Sequence, residues 1–335
     1  MSTRWAYACG VAALCAAVPY TGSAQAQATS TSSGQSYPSR PVRVVVPFPA
    51  GGSSDLLGRA LAKKLSEGLG QQVVVENRAG AGGTIGVGAV AKAPADGYTL
   101  GLGTVSTLGM APVVRAQPPY DSLAAFAPVS LVASAPFLLV VNASVPAKSL
   151  AELVDLARSQ PGRLNFASIG EGTLQHFSGE HFKSLTGVNM VHIPYKGVAP
   201  ALVDLLAGQV QILFDILASF QLQNIQLGKL RALAVAGPAR IAQLPAVPTM
   251  AEAGLPGFEV TAWFGLIAPR GTPPEIVARL NTEVRAAVAS PEMREVISAQ
   301  GFEPSASSPG QFSEVIRQEI AKWMQVVKTS GFKAE

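Results

Sequence analysis

The 335-residue chain is poor in the side chains that bind metals or act as thiol nucleophiles. Its two cysteines, Cys9 and Cys15, lie in a short N-terminal stretch that has the pattern of a targeting segment. The remaining sequence has no cysteine, which excludes disulfides, thiol catalysis and thiolate metal ligands there. Of the three histidines, His176 and His181 are five positions apart, about 140° around a helix, so they do not share a metal-binding face. The third, His192, ends a predicted strand, and no metal site is predicted.

Charged residues are also scarce, and the common nucleotide and hydrolase motifs are missing. Charged residues make up 14% of the sequence, and the net charge of +4 is spread along it, so no nucleic-acid partner is expected. The sequence has no G-x-x-x-x-G-K-[ST] loop and no G-x-S-x-G elbow. In the glycine-rich segment 77–86, Ile85 stands where a dinucleotide fingerprint counted from Gly80 has its third glycine, which favours a structural turn. No cofactor is therefore predicted.

Residues 1–28 have the pattern of a secretory signal peptide. A charged start is followed by an apolar stretch at 5–19 and by small residues that end in Ala24-Gln25-Ala26-Gln27-Ala28. The apolar stretch is shorter than the ~20 residues that a membrane-spanning helix needs, which disfavours an uncleaved anchor. We expect cleavage near Ala26 or Ala28 and export to the periplasm. Residues 29–36 are small and polar and are expected to form a flexible leader.

After residue 36, apolar strands alternate with amphipathic helices. The helix predicted at 54–69 has leucines four positions apart and stops at Gly70, and the helix at 149–159 starts with a capping box. Residues 105–127 are expected to be irregular. Further strands are expected at 72–76, 98–104, 136–142, 164–167, 190–193, 210–214 and 231–235. This alternation predicts an α/β fold with parallel sheets of the doubly wound type.

The segment after the first strand carries the strongest functional signal. Val44, Val45 and Val46 are typical of a buried strand, and the chain then enters a helix through Pro47-Phe48-Pro49-Ala50-Gly51-Gly52-Ser53-Ser54-Asp55. The first turn of a helix leaves unpaired N–H groups at the positive end of its dipole, which suits an anion. This loop contains no lysine, arginine, histidine or cysteine. It therefore predicts reversible anion binding rather than catalysis.

A second loop of the same kind follows the strand at 164–167. It runs Ser168-Ile169-Gly170-Glu171-Gly172-Thr173 and opens another predicted helix. Ligands in open α/β sheets bind outside the carboxyl ends of the strands, so two such loops on facing lobes can share one ligand. Ser168 and Thr173 flank the helix N-terminus and are expected to contact that ligand.

A series of ordered motifs runs from residue 37 to the C-terminal region. They are Tyr37-Pro38-Ser39-Arg40-Pro41, Val75-Glu76-Asn77-Arg78-Ala79-Gly80, Asp96-Gly97-Tyr98-Thr99-Leu100, His192-Ile193-Pro194-Tyr195-Lys196-Gly197, Pro248-Thr249-Met250-Ala251-Glu252-Ala253-Gly254, Trp263-Phe264-Gly265-Leu266 and Ala321-Lys322-Trp323. Together they resemble the Bug family, the extracytoplasmic solute-binding proteins of tripartite tricarboxylate transporters. The resemblance implies a two-lobed periplasmic binding protein fold of type II, each lobe a sheet flanked by helices. Two strands would cross between the lobes near 138–143 and 262–268, which places lobe 1 at 37–138 plus 266–335 and lobe 2 at 139–265.

The resemblance also implies that the two loops hold a ligand carboxylate through backbone amides, small hydroxyls and bridging waters. The residues expected to bind the ligand are Phe48, Ala50, Gly51, Gly52, Ser53, Ser54, Asp55, Ser168, Gly170, Gly172, Thr173, Lys196, Asp215 and Trp263. Phe48 and Trp263 either wall the pocket or pack in the core. Asp55 either contacts a ligand ammonium, or caps its helix or pairs with Arg59.

Two further side chains near the expected site have open roles. Lys196 either faces the cleft or is solvated, and Asp215 either selects an amino-acid ligand or caps the next helix. Glu171 departs from the family pattern, which has a neutral residue there, and an anion would be tolerated only if Glu171 pointed outward.

The function predicted from these observations is that of a periplasmic receptor, working as a monomer and without enzyme activity. It would capture a di- or tricarboxylate, an aromatic acid or an acidic amino acid, and deliver it to membrane transporter subunits. One alternative is an exported serine hydrolase that pairs Ser168 with His176 or His192. Another is a receptor that presents its ligand to a sensor protein.

Overall fold

Two separate β-sheets organise residues 37–115 and 117–330, which are the residues that the computed structural model describes. The predicted signal peptide and the leader at 29–36 lie outside the described residues. In chain order the strands are β1 (Val42–Val46), β2 (Val73–Asn77), β3 (Thr99–Thr104), β4 (Phe126–Pro136), β5 (Leu138–Asn142), β6 (Asn165–Ser168), β7 (Val191–Pro194), β8 (Ile212–Asp215), β9 (Leu230–Val235), β10 (Thr261–Pro269) and β11 (Glu303–Pro304).

Helices flank both sheets. They are α1 (Ser53–Leu69), α2 (Thr84–Ala91), α3 (Ala111–Val114), α4 (Leu150–Ser159), α5 (Leu174–Thr186), α6 (Val198–Leu206), α7 (Ser219–Gln226), α8 (Pro274–Ala289), α9 (Pro291–Ala299) and α10 (Pro309–Ser330). A short 3₁₀ turn precedes α2, and a π-helical turn, Val105–Met110, precedes α3. None of the helices in the described ranges is long and apolar enough to cross a membrane.

The strand order is β11-β4-β10-β3-β1-β2 in the first sheet and β7-β6-β8-β5-β9 in the second. Within the first sheet β1 pairs in parallel with β2 and β3, whereas β10 is antiparallel to β3 and β4. Within the second, β6 is parallel to β7 and β8, whereas β5 is antiparallel to β8 and β9. The sequence predicted parallel sheets, and both sheets are instead mixed: the strands next to the crossings, β4, β5, β9 and β10, run antiparallel to their neighbours.

The chain passes between the sheets at two adjacent places. Only Phe137 separates β4 from β5, and the return passes from β9 to β10 through residues 236–260. The two crossing segments hydrogen-bond to each other: Phe137 N–H donates to Val260 O at 2.9 Å, and Ala236 N–H donates to Phe137 O at 2.7 Å. The two segments predicted to cross between the lobes are 138–143 and 262–268. Each begins one or two residues after the point where the chain leaves one sheet for the other. Residues 261–265, predicted in lobe 2, are hydrogen-bonded into the first sheet as part of β10.

The core of the first lobe follows the sequence pattern closely. Val44 and Val46 of β1 are fully buried, and so are Leu57, Leu61 and Leu65, the leucine stripe of α1. A C-cap glycine with φ of 68° ends α1 at position 70, as expected. This packing fixes the start of α1 against the carboxyl end of β1, which positions the first loop.

The long strand β4 and the turn after β3 were not predicted. β4 contains Pro128, two serines and three alanines, and residues of these types are uncommon in strands or favour them weakly. The strand begins inside the region 105–127 that was expected to be irregular and continues past its end. It is nevertheless buried between β10 and β11 of the first sheet. The C-terminal helix α10 reaches the second lobe, where Trp323 contacts the rings of Phe177 and His181 on α5, with ring centroids 6.4 and 6.5 Å away.

Candidate functional site

A cleft of about 620 Å³ lies where the carboxyl ends of the parallel strands of both sheets meet. From the first lobe it is lined by the segments after β1 and β3 and by the start of β10. From the second lobe it is lined by the segments after β6, β7 and β8. The expectation that both carboxyl edges face one cleft therefore agrees with this geometry.

Four helices begin at this cleft. The lining includes Ser53 and Ser54 at the start of α1, Leu174 and Gln175 of α5, Val198 of α6, and Phe220 and Gln221 of α7. Each helix start has backbone N–H groups that lack partners within the helix and carries the positive end of the dipole. The shared electrostatic environment of the four starts favours an anionic group in the cleft.

The first predicted loop lines the cleft almost completely. Phe48, Ala50, Gly51, Gly52, Ser53 and Ser54 are all lining residues, together with Pro49. The N-cap of α1 is Gly52, whose backbone is extended at φ −83° and ψ 170°, and no side chain caps the helix. The loop therefore presents mainly backbone and small hydroxyl groups to the cleft.

Asp55 is not a lining residue. It is 3% exposed, and its carboxylate accepts hydrogen bonds from Gly51 N–H at 3.0 Å, Arg59 Nε at 2.9 Å and Asn77 Nδ2 at 3.0 Å. Burial alone would raise the pKa of Asp55, but these hydrogen bonds outweigh it and hold the pKa below its usual value. Of its two predicted roles, the structure supports the one in which it pairs with Arg59 and fixes the loop.

The hydroxyls of the second loop turn away from the cleft. Thr173 Oγ1 donates to Gly170 O at 2.6 Å, and Ser168 Oγ donates to the same oxygen at 3.0 Å. Both side chains are fully buried, and neither they nor Gly170 and Gly172 line the cleft. Ile169, Leu174 and Gln175 line it instead. The loop therefore lies at the cleft as predicted, but the ligand contacts expected from the Ser168 and Thr173 side chains do not agree with the structure.

Ser168 and His192 are in contact below the second loop. Ser168 Oγ and His192 Nε2 are 2.7 Å apart. The His192 ring stacks on that of His176, with ring centroids 3.9 Å apart, and on that of Phe166 at 5.0 Å. Burial, together with the neighbouring His176 and Lys183, lowers the pKa of His192 to about 3, so the ring is neutral at physiological pH.

Asp215 forms part of the cleft wall at the end of β8. It is 3% exposed and accepts hydrogen bonds from Gln175 Nε2 and Gln221 Nε2, both at 3.1 Å. Burial raises the pKa of its carboxyl to about 6, against the lowering effect of these hydrogen bonds and of the Ile216 N–H. Lys196, also a lining residue, is exposed at the rim.

The remaining wall is largely apolar. Trp263 lines the cleft and is 3% exposed, and its Nε1 has no hydrogen-bond partner in the described structure. Phe48 also lines it and is half-buried, so both aromatic residues belong to the wall, and Trp263 also packs in the core. Glu171 is exposed and lies outside the lining. The other apolar lining residues are Val105, Phe137, Ile169, Leu174, Val198, Ala199, Pro200, Leu202, Val203, Ile216, Ala218, Phe220, Ala262, Phe264 and Phe302.

Sequence reasoning missed five polar lining residues, Thr104, Ser106, Gln175, Gln221 and Gln300. Thr104 caps the π-helical turn after β3 through a reciprocal bond with Thr107, and this turn carries Ser106 into the cleft. A Thr-x-x-Thr spacing directly after a strand was the available signal. Gln175 and Gln221 follow helix starts by one or two residues, and only the fold shows that both meet Asp215.

Besides the packing of α10 on α5, two groups of residues join the lobes across the cleft. In the first, Leu174 N–H donates to Ser106 Oγ at 3.0 Å, and a Cβ at Gly82 would lie 2.9 Å from Glu171 O. In the second, Ser219 Oγ donates to Ala299 O at 2.5 Å, close to where the backbones of residues 217 and 301 pack together. These contacts across the cleft are those of a closed arrangement.

The sequence and the fold of this chain are similar to those of known transport receptors. A sequence model of the family described as "Tripartite tricarboxylate transporter family receptor" matches residues 57–332. BugT of Bordetella pertussis is 42% identical over 302 residues, which cover 90% of this chain and 92% of BugT.

Two solved structures are similar over nearly their whole length. The R. palustris protein Rpa4515 with adipate has a TM-score of 0.82 and 42% identity, covering 88% of this chain and 98% of that chain. MatC from Rhodopseudomonas palustris with bound malate has a TM-score of 0.82 and 36% identity, covering 87% of this chain and 100% of that chain.

Proposed function

Because the chain belongs to the tripartite tricarboxylate transporter receptor family, we propose that it captures a small organic carboxylate between its lobes and delivers it to the membrane subunits of such a transporter. The resemblance to Bug proteins and the two-lobed periplasmic binding fold, both expected from the sequence, are confirmed. In this proposal the protein works as a monomer in the periplasm.

The observation that carries the proposal is the convergence of four helix starts on one mostly apolar cleft. Helix N-termini favour an anion through backbone N–H groups and the dipole, and the apolar wall accommodates a carbon skeleton. The charged lining residues in the described part of the chain are the rim residue Lys196 and the buried Asp215. A ligand held without a buried ion pair can be released when the lobes open, as delivery requires.

The two solved relatives described above hold adipate and malate, both small carboxylates. The first loop of this chain lines the cleft with backbone amides and small hydroxyls, the groups that are expected to hold a carboxylate. We infer that residues 48–54 hold the carboxylate of this chain's ligand, and that Phe48 and Trp263 contact its carbon skeleton.

The proposal includes the absence of hydrolase activity. Ser168 Oγ lies 2.7 Å from His192 Nε2, and it is also within hydrogen-bond distance of Gly170 O and Gly170 N–H. In a serine hydrolase the imidazole accepts the serine proton and is itself oriented by a carboxylate. In the described residues no carboxylate hydrogen-bonds to His192, and Ser168 is fully buried beneath the loop.

A thermal-shift screen of the purified protein tests the proposal. Malate, adipate, citrate, benzoate and glutamate are added singly, with p-nitrophenyl acetate hydrolysis followed in parallel. A carboxylate at 100 times its dissociation constant adds about 2.7 kcal/mol to the free energy of unfolding, which raises the melting temperature by several degrees. Ester turnover without stabilisation by any carboxylate would contradict the proposal and favour the hydrolase.

Delivery to a transporter is separated from presentation to a sensor by an uptake measurement. Cells that express the receptor with its membrane subunits are expected to accumulate the radiolabelled carboxylate found in the screen, and cells without the membrane subunits are not. Equal accumulation in both would contradict delivery to a transporter.

A further inference from the structure

The cleft of this anion receptor contains a buried acid. Asp215 is 3% exposed and lies in the wall of the second lobe, whereas Lys196 is exposed at the rim. A carboxylate placed beside a bound anion repels it, and this repulsion is strong where water is excluded. Asp215 must therefore face a part of the ligand that is not an ionised carboxylate.

The groups around Asp215 are amides rather than cations. Gln175, at the start of α5, donates to Oδ1, and Gln221, at the start of α7, donates to Oδ2, each at 3.1 Å. None of the ion pairs formed within the described residues includes Asp215. Two helix starts thus hold the carboxylate in one orientation without neutralising it.

Acceptors predominate at this end of the cleft. Gln221 is 2% exposed, lines the cleft, and its Oε1 has no hydrogen-bond partner in the described structure. One of the two N–H groups of its amide donates to Asp215 Oδ2, and the amide carbonyl and the remaining lone pairs of the carboxylate are left as acceptors. An unpaired buried acceptor costs free energy, and a ligand donor at this position recovers it.

Burial raises the pKa of the Asp215 carboxyl to about 6. The group is therefore ionised at neutral pH, and a ligand with a second ionised carboxylate beside it must bind together with a proton. A hydroxyl or ammonium group there needs no proton and forms a charge-assisted hydrogen bond.

We propose that Asp215 and Gln221 form an acceptor subsite that selects a carboxylate ligand carrying a hydrogen-bond donor, a hydroxyl or an amino group, over the dicarboxylate of the same skeleton. This inference rests on the proposed function, because it assigns the second polar group of the same ligand. The ligand carboxylate binds at the first loop, the carbon skeleton contacts Phe48 and Trp263, and the donor meets Asp215.

Matched pairs of probes test the subsite by isothermal titration at pH 7.5. The pairs are 4-hydroxybutyrate against succinate and 4-hydroxybenzoate against terephthalate. The wild-type protein is expected to bind the hydroxy acid of at least one pair tenfold or more tightly than the diacid. Asp215→Asn keeps the shape and removes the charge, so the ratio is expected to fall at least fivefold. Asp155→Asn, which makes the same charge change at an exposed position of α4, is expected to keep the wild-type ratio.

Three results would overturn the subsite: tighter binding of the diacid by the wild type, an unchanged ratio in Asp215→Asn, or binding of neither hydroxy acid at millimolar concentration. Gln221→Leu, which removes the unpaired carbonyl and keeps the Asp215 charge, gives a second reading and is expected to weaken hydroxy-acid binding more than diacid binding. If the thermal-shift screen finds a stabilising carboxylate while these pairs fail, the subsite is wrong and the proposed function stands. If that screen finds none, the proposed function itself is wrong.

Discussion

Ser106 and Leu174 join the two lobes through a hydrogen bond at the first residue of α5. The Leu174 N–H donates to Ser106 Oγ at 3.0 Å, and both residues are buried at the cleft. The N–H of a helix's first residue has no partner within the helix, so this helix start in the second lobe is completed by a hydroxyl of the first lobe. Lobe closure and the geometry of the anion site are therefore linked at one contact.

Replacing Ser106 with alanine is expected to weaken carboxylate binding about fivefold. A hydrogen bond contributes about 1 kcal/mol net, and this one forms only when the lobes are closed. Isothermal titration with the stabilising carboxylate measures the loss. Ser178→Ala is the matched control, because Ser178 is a buried serine on the same α5 whose hydroxyl bonds within its own helix. An equal loss of affinity in both variants would contradict the linkage.

Gly301→Ala is expected to prevent full closure. A Cβ at Gly301 would lie 1.9 Å from the carbonyl oxygen of Leu217, across the second contact between the lobes. Affinity is expected to fall tenfold or more, and small-angle scattering of the ligand-saturated protein should show a larger radius of gyration than that of the wild type.

Gly254→Ala is the control for the backbone strain that Gly301→Ala introduces. Gly254 has a similar positive φ of 93°, against 77° for Gly301, and a Cβ there meets nothing within 4 Å. Both variants carry the cost of a side chain at positive φ, but only the first obstructs the contact between lobes. Wild-type affinity in Gly301→Ala would show that the lobes close without this contact.

The sequence predicted the first loop well because its signals are local. A β-branched strand, two prolines, a glycine pair and a helix start follow one another within a dozen residues, and six of the seven predicted residues from Phe48 to Asp55 line the cleft. Asp55 is the next residue along α1 after the last lining residue of the loop, and its carboxylate accepts a hydrogen bond from Gly51 N–H instead of facing the cleft.

The second loop shows what local signals leave open. Ser168 and Thr173 are placed correctly at a strand end and a helix start, yet both hydroxyls bond to Gly170 O. The direction in which these hydroxyls point depends on the conformation of the loop between the two residues. The pattern of apolar residues along the sequence carries no information about that conformation. Likewise, Ser106 and Gln221 enter the cleft only because β3, β8 and their following turns come together in three dimensions.

Asp215→Asn is expected to stabilise the protein at neutral pH. The pKa of Asp215 is about 6 in the folded protein against an ordinary value of 3.8, so the folded state binds more protons between these values and loses stability as the pH rises through them. Each pH unit corresponds to about 1.4 kcal/mol, which makes the cost of the ionised carboxyl about 3 kcal/mol at pH 7.

Urea denaturation at pH 4 and pH 7 measures this effect. The wild type and Asp215→Asn should have nearly equal free energies of unfolding at pH 4, and the variant should be more stable at pH 7. The exposed-site variant Asp155→Asn should follow the wild type at both. A less stable Asp215→Asn at pH 7 would mean that the carboxylate is held more favourably than its burial indicates.

Trp263 is expected to report ligand binding by its fluorescence, because it lies in the cleft wall and its indole N–H is unpaired. Trp323 is buried between α10 and α5 and donates to Glu319 at 2.8 Å, away from the cleft. A stabilising carboxylate should change the fluorescence emission of the variant Trp323→Phe, which retains Trp263. It should leave the emission of Trp263→Phe, which retains Trp323, unchanged. The opposite assignment would place the ligand elsewhere.

Isothermal titration of Gly52→Val tests most directly the claim that the first loop holds a ligand carboxylate. The backbone at Gly52 is extended, and a Cβ there meets only Pro49 O at 3.8 Å, so valine fits the fold while its methyl groups occupy cleft space. Gly310→Val, at an exposed position of α10 where a Cβ meets nothing within 4 Å, is the control. The prediction is one-to-one carboxylate binding by the wild type and by Gly310→Val, and at least a hundredfold loss of affinity in Gly52→Val, whose melting temperature without ligand is unchanged. Wild-type affinity in Gly52→Val would contradict it.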